Sequence, residues 1–239
     1  MQALMHHCLQ RMAAGVHTRS YCYSRQGGKA ARAATAKTAK WVEGWVVKLG
    51  LCPFAKKPMD TPEALRIAVT MASTEEELLA AADLEIAALL PGLSKCGAGG
   101  AGGGSSSAAS DAGGPETTLL VLANDAGYLA DFETFHRMSW SVQERILEAG
   151  VVGELQLVLF HPRGVHNLYT STPGDADAKS YAVRSPYPTF HFLREKDVVD
   201  AVTKHPSPET IPARNAAKLR KLGAEAARDQ WIAATNARE

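Results

Sequence analysis

Residues 181–195, YAVRSPYPTFHFLRE, constrain this chain more than any other stretch. Pro186 and Pro188 hold φ near −65° and push Ser185 and Tyr187 into extended geometry, so a rigid turn precedes whatever follows. Beyond the turn, residues 189–195 alternate. Phe190, Phe192 and Arg194 fall on one face of a strand, and His191 and Leu193 on the other. Chemically able side chains crowd this segment, and a functional site is expected there.

The rest of the chain supplies partners for that strand. Residues 35–49 place Trp41, Val42, Trp45, Val46 and Leu49 at helical spacing, with Gly50 as the stop. Residues 65–71 alternate as a strand with one wet face or an edge position. Ser73 opens a helix, with Glu76 completing a capping box and Leu78, Ala82, Ile86 and Leu89 on the buried stripe. Residues 117–123 form an apolar run expected as a central strand, and Asp131 caps a helix that carries Phe135, Met138, Val142 and Ile146 inward. Residues 154–160 are a second apolar run, also expected as a central strand. A long loop leads from His161 to Pro188, and Ile211-Pro212 begins a last helix that ends at Leu222-Gly223.

This order predicts an α/β fold, with α+β as the alternative. A single domain should hold a mixed sheet of about four strands with crossover helices. His161 follows directly on the third strand and His191 opens the fourth, so a shared site requires the fourth strand to run antiparallel to the third. The two imidazoles are then expected within about 12 Å, since a parallel strand of this length would separate them by roughly 20 Å.

Charge divides the chain. Seven basic residues precede the first acid, Glu43, leaving 19 basic residues against 25 acidic ones in the remainder. An acidic body argues against general nucleic-acid binding. An acid-free N-terminus bearing Arg, Ala and Ser has the composition of an organellar transit peptide, so residues 1–35 are expected to be cleaved in a mitochondrion or chloroplast. The folded domain is then residues 36–223, interrupted by a Gly/Ser-rich insert at 97–115 expected to be disordered, and residues 224–239 read as a polar tail. No run of 18 apolar residues exists, so no membrane span is expected and the product should be a soluble matrix or stromal protein. Of four cysteines, only Cys52 falls in the core, which excludes a disulfide framework.

The candidate catalytic residues are Cys52, His161, Tyr187 and His191. Cys52 is a nucleophile if Pro53 starts a helix that it caps, and otherwise an inert small hydrophobe. His161 stands at a strand exit either as acid/base or as a histidine bonding a loop carbonyl. Arg184, Arg194, Arg214 and Asn215 are the candidate substrate-binding set, since paired guanidinium donors clamp carboxylate or phosphate, and surface salt bridges are the alternative. No metal-ligand spacing such as CxxC or HExxH occurs, and no nucleotide or hydrolase motif names a cofactor. The chain is read as an enzyme acting on a small anionic substrate, or else as a non-catalytic interaction or assembly protein whose polar cluster is structural.

Four segments in order, Leu51-Cys52-Pro53-Phe54-Ala55, Phe160-His161-Pro162, Arg184-Ser185-Pro186-Tyr187-Pro188 leading to His191-Phe192-Leu193-Arg194-Glu195, and Ile211-Pro212-Ala213-Arg214-Asn215, resemble the uncharacterised family known as domain of unknown function 1415. The resemblance spans about residues 38–223 outside the insert. It implies a shared fold and site and supplies no reaction.

Overall fold

The computed structural model describes residues 28–90, 115–124, 128–165 and 177–236. Helix α1 runs Gly28–Trp41 and continues as a π-helical turn over Val42–Val47. Then come α2 (Lys56–Asp60), β1 (Leu65–Thr70), α3 (Glu75–Leu89), β2 (Thr117–Leu122), α4 (Phe132–Glu148), β3 (Leu155–Phe160), β4 (Thr189–Arg194), α5 (Glu195–Thr203), α6 (Ile211–Leu222) and α7 (Ala224–Thr235). The four strands form one mixed sheet in the order β1-β2-β4-β3, in an α/β domain as expected. β1 and β2 are parallel, and β4 is antiparallel to both of its neighbours, β2 and β3.

β4 therefore enters between the two crossover units instead of adding to the edge. α3 and α4 both cover the face that carries Phe190 and Phe192, where they bury Leu78, Ile86, Phe135, Val142 and Ile146. The opposite face, with Ile67, Val69, Leu119 and Val121, is covered by α1, the π turn, α6 and α7. The two ends of the described chain thus make one layer and its middle makes the other.

Local chemistry explains the element ends. Thr74, one residue later than expected, caps α3 by accepting from the Glu77 N–H, while the Glu77 carboxylate reaches back to the Ser73 N–H and hydroxyl. Asp131 caps α4 by accepting from the Thr134 N–H, and Gly50 ends the first helical segment at φ +59°.

Several expectations change. The run at 154–160 is an edge strand rather than a central one, because β4 takes the place between it and β2; Val158 is 36% exposed. Of the two alternatives for residues 65–71, β1 takes the edge position and not the wet face: its second face is covered by α3, where Arg66 makes a two-point contact with the Glu85 carboxylate at 2.6 and 3.0 Å. The domain boundary expected at residue 35 falls inside α1, where Ala31 and Ala34 are buried against the sheet layer. The segment expected as a polar tail is α7, with Ala227 and Thr235 buried. Residues 97–114 of the insert and 1–27 of the N-terminal segment lie outside the described residues. Among the described residues, no helix is long and apolar enough to cross a membrane.

Candidate functional site

The motif residues gather in three places rather than one, and His191 and Arg194 stand apart from all three. The first is the junction of α6 with the end of the π turn. Here three successive carbonyls are left without helical partners, and α6 supplies donors to each: Lys218 to Leu49, Arg214 to Gly50 at 3.2 Å, and Asn215 to Leu51 at 2.5 Å. Cys52 follows immediately and is half-buried. α2 begins at Lys56 with Ala55 before it, so Cys52 caps no helix. Burial pushes its thiol up from the ordinary cysteine range, and the Phe54 and Ala55 N–H groups pointing at the sulfur offset this only in part. The group is a thiol at neutral pH. Beside it, the Phe54 ring meets His205 edge-on at 5.7 Å.

The second place is the return into β4. A short helical turn, Ala178–Ala182, buries Tyr181, whose carbonyl accepts from Trp45 Nε1 at 3.0 Å. Arg184 lies over the Tyr181 ring at 4.3 Å, donates to the Gly164 carbonyl, and through its own carbonyl accepts from Trp231 Nε1 at 3.1 Å. Gly164 is required there, since a Cβ would stand 2.8 Å from the Val183 oxygen. Ser185 is buried, and its hydroxyl donates to the Tyr187 carbonyl, as does that of Thr189. Lys37 of α1 stands 5.3 Å over the Tyr187 ring.

The third place is His161, which is 1% exposed between Phe132 and Phe135. Its Nε2 lies 3.0 Å from the Leu129 carbonyl, and its Nδ1 accepts from the Arg163 N–H at 3.0 Å. One nitrogen must donate and the other accept, so the ring is held as a single neutral tautomer. Burial lowers its pKa from the ordinary value.

His191 sits elsewhere. It projects from the other face of the sheet, against Phe160, with Nε2 2.6 Å from the Thr117 hydroxyl. Thr117 in turn donates to the Phe192 carbonyl, which leaves its oxygen to accept from the imidazole. Burial alone holds the His191 pKa down to about 4. The two histidines expected to share a site therefore face opposite layers: one ring packs on α4 and the other on the α1 side. Arg194 closes onto Asp197 at 2.6 Å, as the salt-bridge alternative anticipated. Among the described residues, no group of three His, Cys, Asp or Glu side chains could hold a metal ion.

Some participants carried no sequence signal strong enough to stand out. Trp231 was the best placed of these, since Ala224, Ala227 and Trp231 repeat at helical spacing in what reads as a tail. Asp177 pairs with Arg220 at 2.7 Å and also accepts from the Lys179 N–H, which holds its carboxyl far below the usual range. Trp41 Nε1 and Thr38 Oγ1, one turn apart on α1 and both buried, have no hydrogen-bond partner among the described residues.

Fold and site together define a mixed α/β domain in which motif side chains bond the main chain of the turns and loops around the sheet. The chain belongs to the family described as protein of unknown function (DUF1415), whose model matches residues 33–93 and 107–229. That match includes all four motifs and the first half of α7. No curated protein and no solved structure matches the chain.

Proposed function

We propose that this protein is a non-catalytic interaction or assembly protein of a mitochondrial matrix or chloroplast stroma, with the His/Arg/Tyr residues serving as fasteners. The observation that carries this is His161, buried with both ring nitrogens committed to main-chain partners. A general acid or base must reach a substrate proton, and this ring has neither an open nitrogen nor access to solvent. The same logic extends to Arg194 on Asp197 and to Arg214 and Asn215 on the carbonyls before Cys52. The organellar setting rests on the acid-free N-terminal composition.

Native mass spectrometry of the purified full chain tests the reading. Ions of protein alone are expected, and a small anion retained at one equivalent through gentle desolvation overturns it.

One observation favours a second reading, that of an enzyme or receptor for a small anion. Trp41 Nε1 can only donate, and a buried donor without a partner among the described residues accounts for itself when a ligand oxygen supplies the acceptor. Thermal unfolding in the presence of a panel of carboxylates and phosphates separates the two. A rise in melting temperature that Trp41→Phe abolishes would establish the second reading, while no change across the panel leaves the first.

A further inference from the structure

The outer flank of α4 carries a feature that neither the site nor the core uses. Trp140 and Leu147 are 60% and 64% exposed, although their helix is buried against the sheet through Phe135, Met138, Val142 and Ile146. At about 100° per residue, these two lie on the flank turned away from Ser141 and Arg145. Those last two face α3, where Ser141 donates to Glu75 at 3.1 Å and Arg145 lies 3.9 Å from Asp83. One flank of α4 is thus packed and ion-paired, and the other presents two large apolar side chains to water.

The charges beside Trp140, displaced about 40–60° round the helix toward Ser141, differ from Arg145 in the same way. Arg145 is paired with Glu148 at 3.0 Å as well as lying near Asp83. Arg137, by contrast, donates only to Thr134 of its own turn, and neither it nor Glu144 has an ion-pair partner among the described residues. Arg137 and Glu144 are seven residues apart, on either side of Trp140, and both are exposed. A stripe that runs base, Trp, acid along one helix is complementary in charge to the same stripe turned end for end. It is not complementary to a parallel copy, which would set Arg137 beside Arg137.

We propose that two copies of this chain associate through α4 in antiparallel fashion about a two-fold axis beside Trp140, with Arg137 of each opposite Glu144 of the other. The contact is isologous, so one patch serves both subunits and the assembly closes as a dimer. Trp140 of each copy packs on its equivalent, removing from water the large exposed aromatic of each subunit. The proposal is independent of whether the chain is catalytic, since α4 turns this flank away from the sheet and from all three motif clusters.

The test is the mass of the full chain in solution, read by light scattering after size-exclusion at micromolar concentration. Twice the 25.5 kDa of one chain is expected. Arg137→Glu and Glu144→Arg should each weaken the dimer at least tenfold, and the two reversals combined should restore it, because the pairs are re-formed with signs exchanged. Trp140→Lys should give a monomer with an unchanged circular dichroism spectrum. A monomeric wild-type chain overturns the proposal. So does a dimer indifferent to either single reversal, or one in which the double reversal is no better than the singles. Should Trp140→Lys fail to fold, the reversal series decides alone, as both of its positions are exposed.

Discussion

The side-chain amide of Asn215 donates to the main-chain oxygen of Leu51 across 164 residues of sequence. With Arg214 and Lys218 it lets one turn of α6 satisfy the carbonyls that the first helical segment leaves behind. Asn215→Leu keeps the approximate volume and removes the donor, leaving the Leu51 carbonyl without this partner. A loss of about 1–3 kcal/mol is expected in urea-induced unfolding. Alkylation of Cys52 in the folded protein should become faster in the same variant, because the strand of chain that positions it is loosened.

Cys52 itself is expected to be slow. Burial raises the pKa of the thiol, and the thiolate is the reacting form, so at pH 7 iodoacetamide should modify Cys52 more slowly than a cysteine in an unstructured peptide. Peptide mapping after timed alkylation reads this directly. A rate above that of the peptide would restore Cys52 as a nucleophile.

Acid should destabilise the fold through its two buried histidines as pH falls below 6.5. His161 and His191 both have folded-state pKa values below the ordinary 6.5, that of His191 at about 4. Above pH 6.5 neither the folded nor the unfolded chain protonates these rings. Below it the unfolded chain takes up protons that the folded one refuses, so stability falls as pH drops, and for His191 the fall ends near pH 4. Asp131 and Asp177 have lowered values, so their contribution is lost only below the ordinary carboxylate range. Denaturant midpoints at pH 7.5, 6 and 5 should therefore decline, and His191→Gln should flatten the decline between pH 6 and 5.

The two terminal helices should matter to stability in opposition to their sequence appearance. A chain beginning at Gly28 is expected to melt as the full chain does, whereas one beginning at Ala36 loses the buried Ala31 and Ala34 and should melt several degrees lower. A chain ending at Gly223 loses Trp231 from Arg184 and Tyr181, and should be destabilised more. Differential scanning calorimetry of the three chains checks the order.

What could be read in the sequence was what side-chain spacing controls. The alternation through Phe190, His191 and Phe192 assigns two faces of β4, and the structure uses both as written. The parity argument could have gone further. Phe160 and His191 share a face, so His161, one residue on, was bound to turn to the other. The edge position of β3 was hidden because Leu155, Leu157 and Leu159 face the α3/α4 layer while Phe160 meets Trp41, which gives an edge strand the apolar run of a central one. α1 began early because Ala31 and Ala34, small enough to pack closely, look no different from the alanines of a presequence. The fasteners were the least legible part. Leu129, Val183, Leu51 and Gly50 take part through main-chain atoms, which any residue would supply, so no side-chain pattern announces them.

The position of β4 also sets the order in which the chain can become a sheet. On a ribosome, β1 and β2 emerge first and can pair with each other, but β3 follows with no neighbour to join, because the strand that bridges it to β2 has yet to be made. Until residue 194 has cleared the exit tunnel, the inner faces of β3 and α4 have only a gap beside them, and the layer made by α6 and α7 comes later still. The nascent protein thus has β3 unpaired on both sides throughout the synthesis of residues 161–194, a state open to holdase chaperones, and a message truncated before β4 would yield two fragments of sheet instead of a smaller domain.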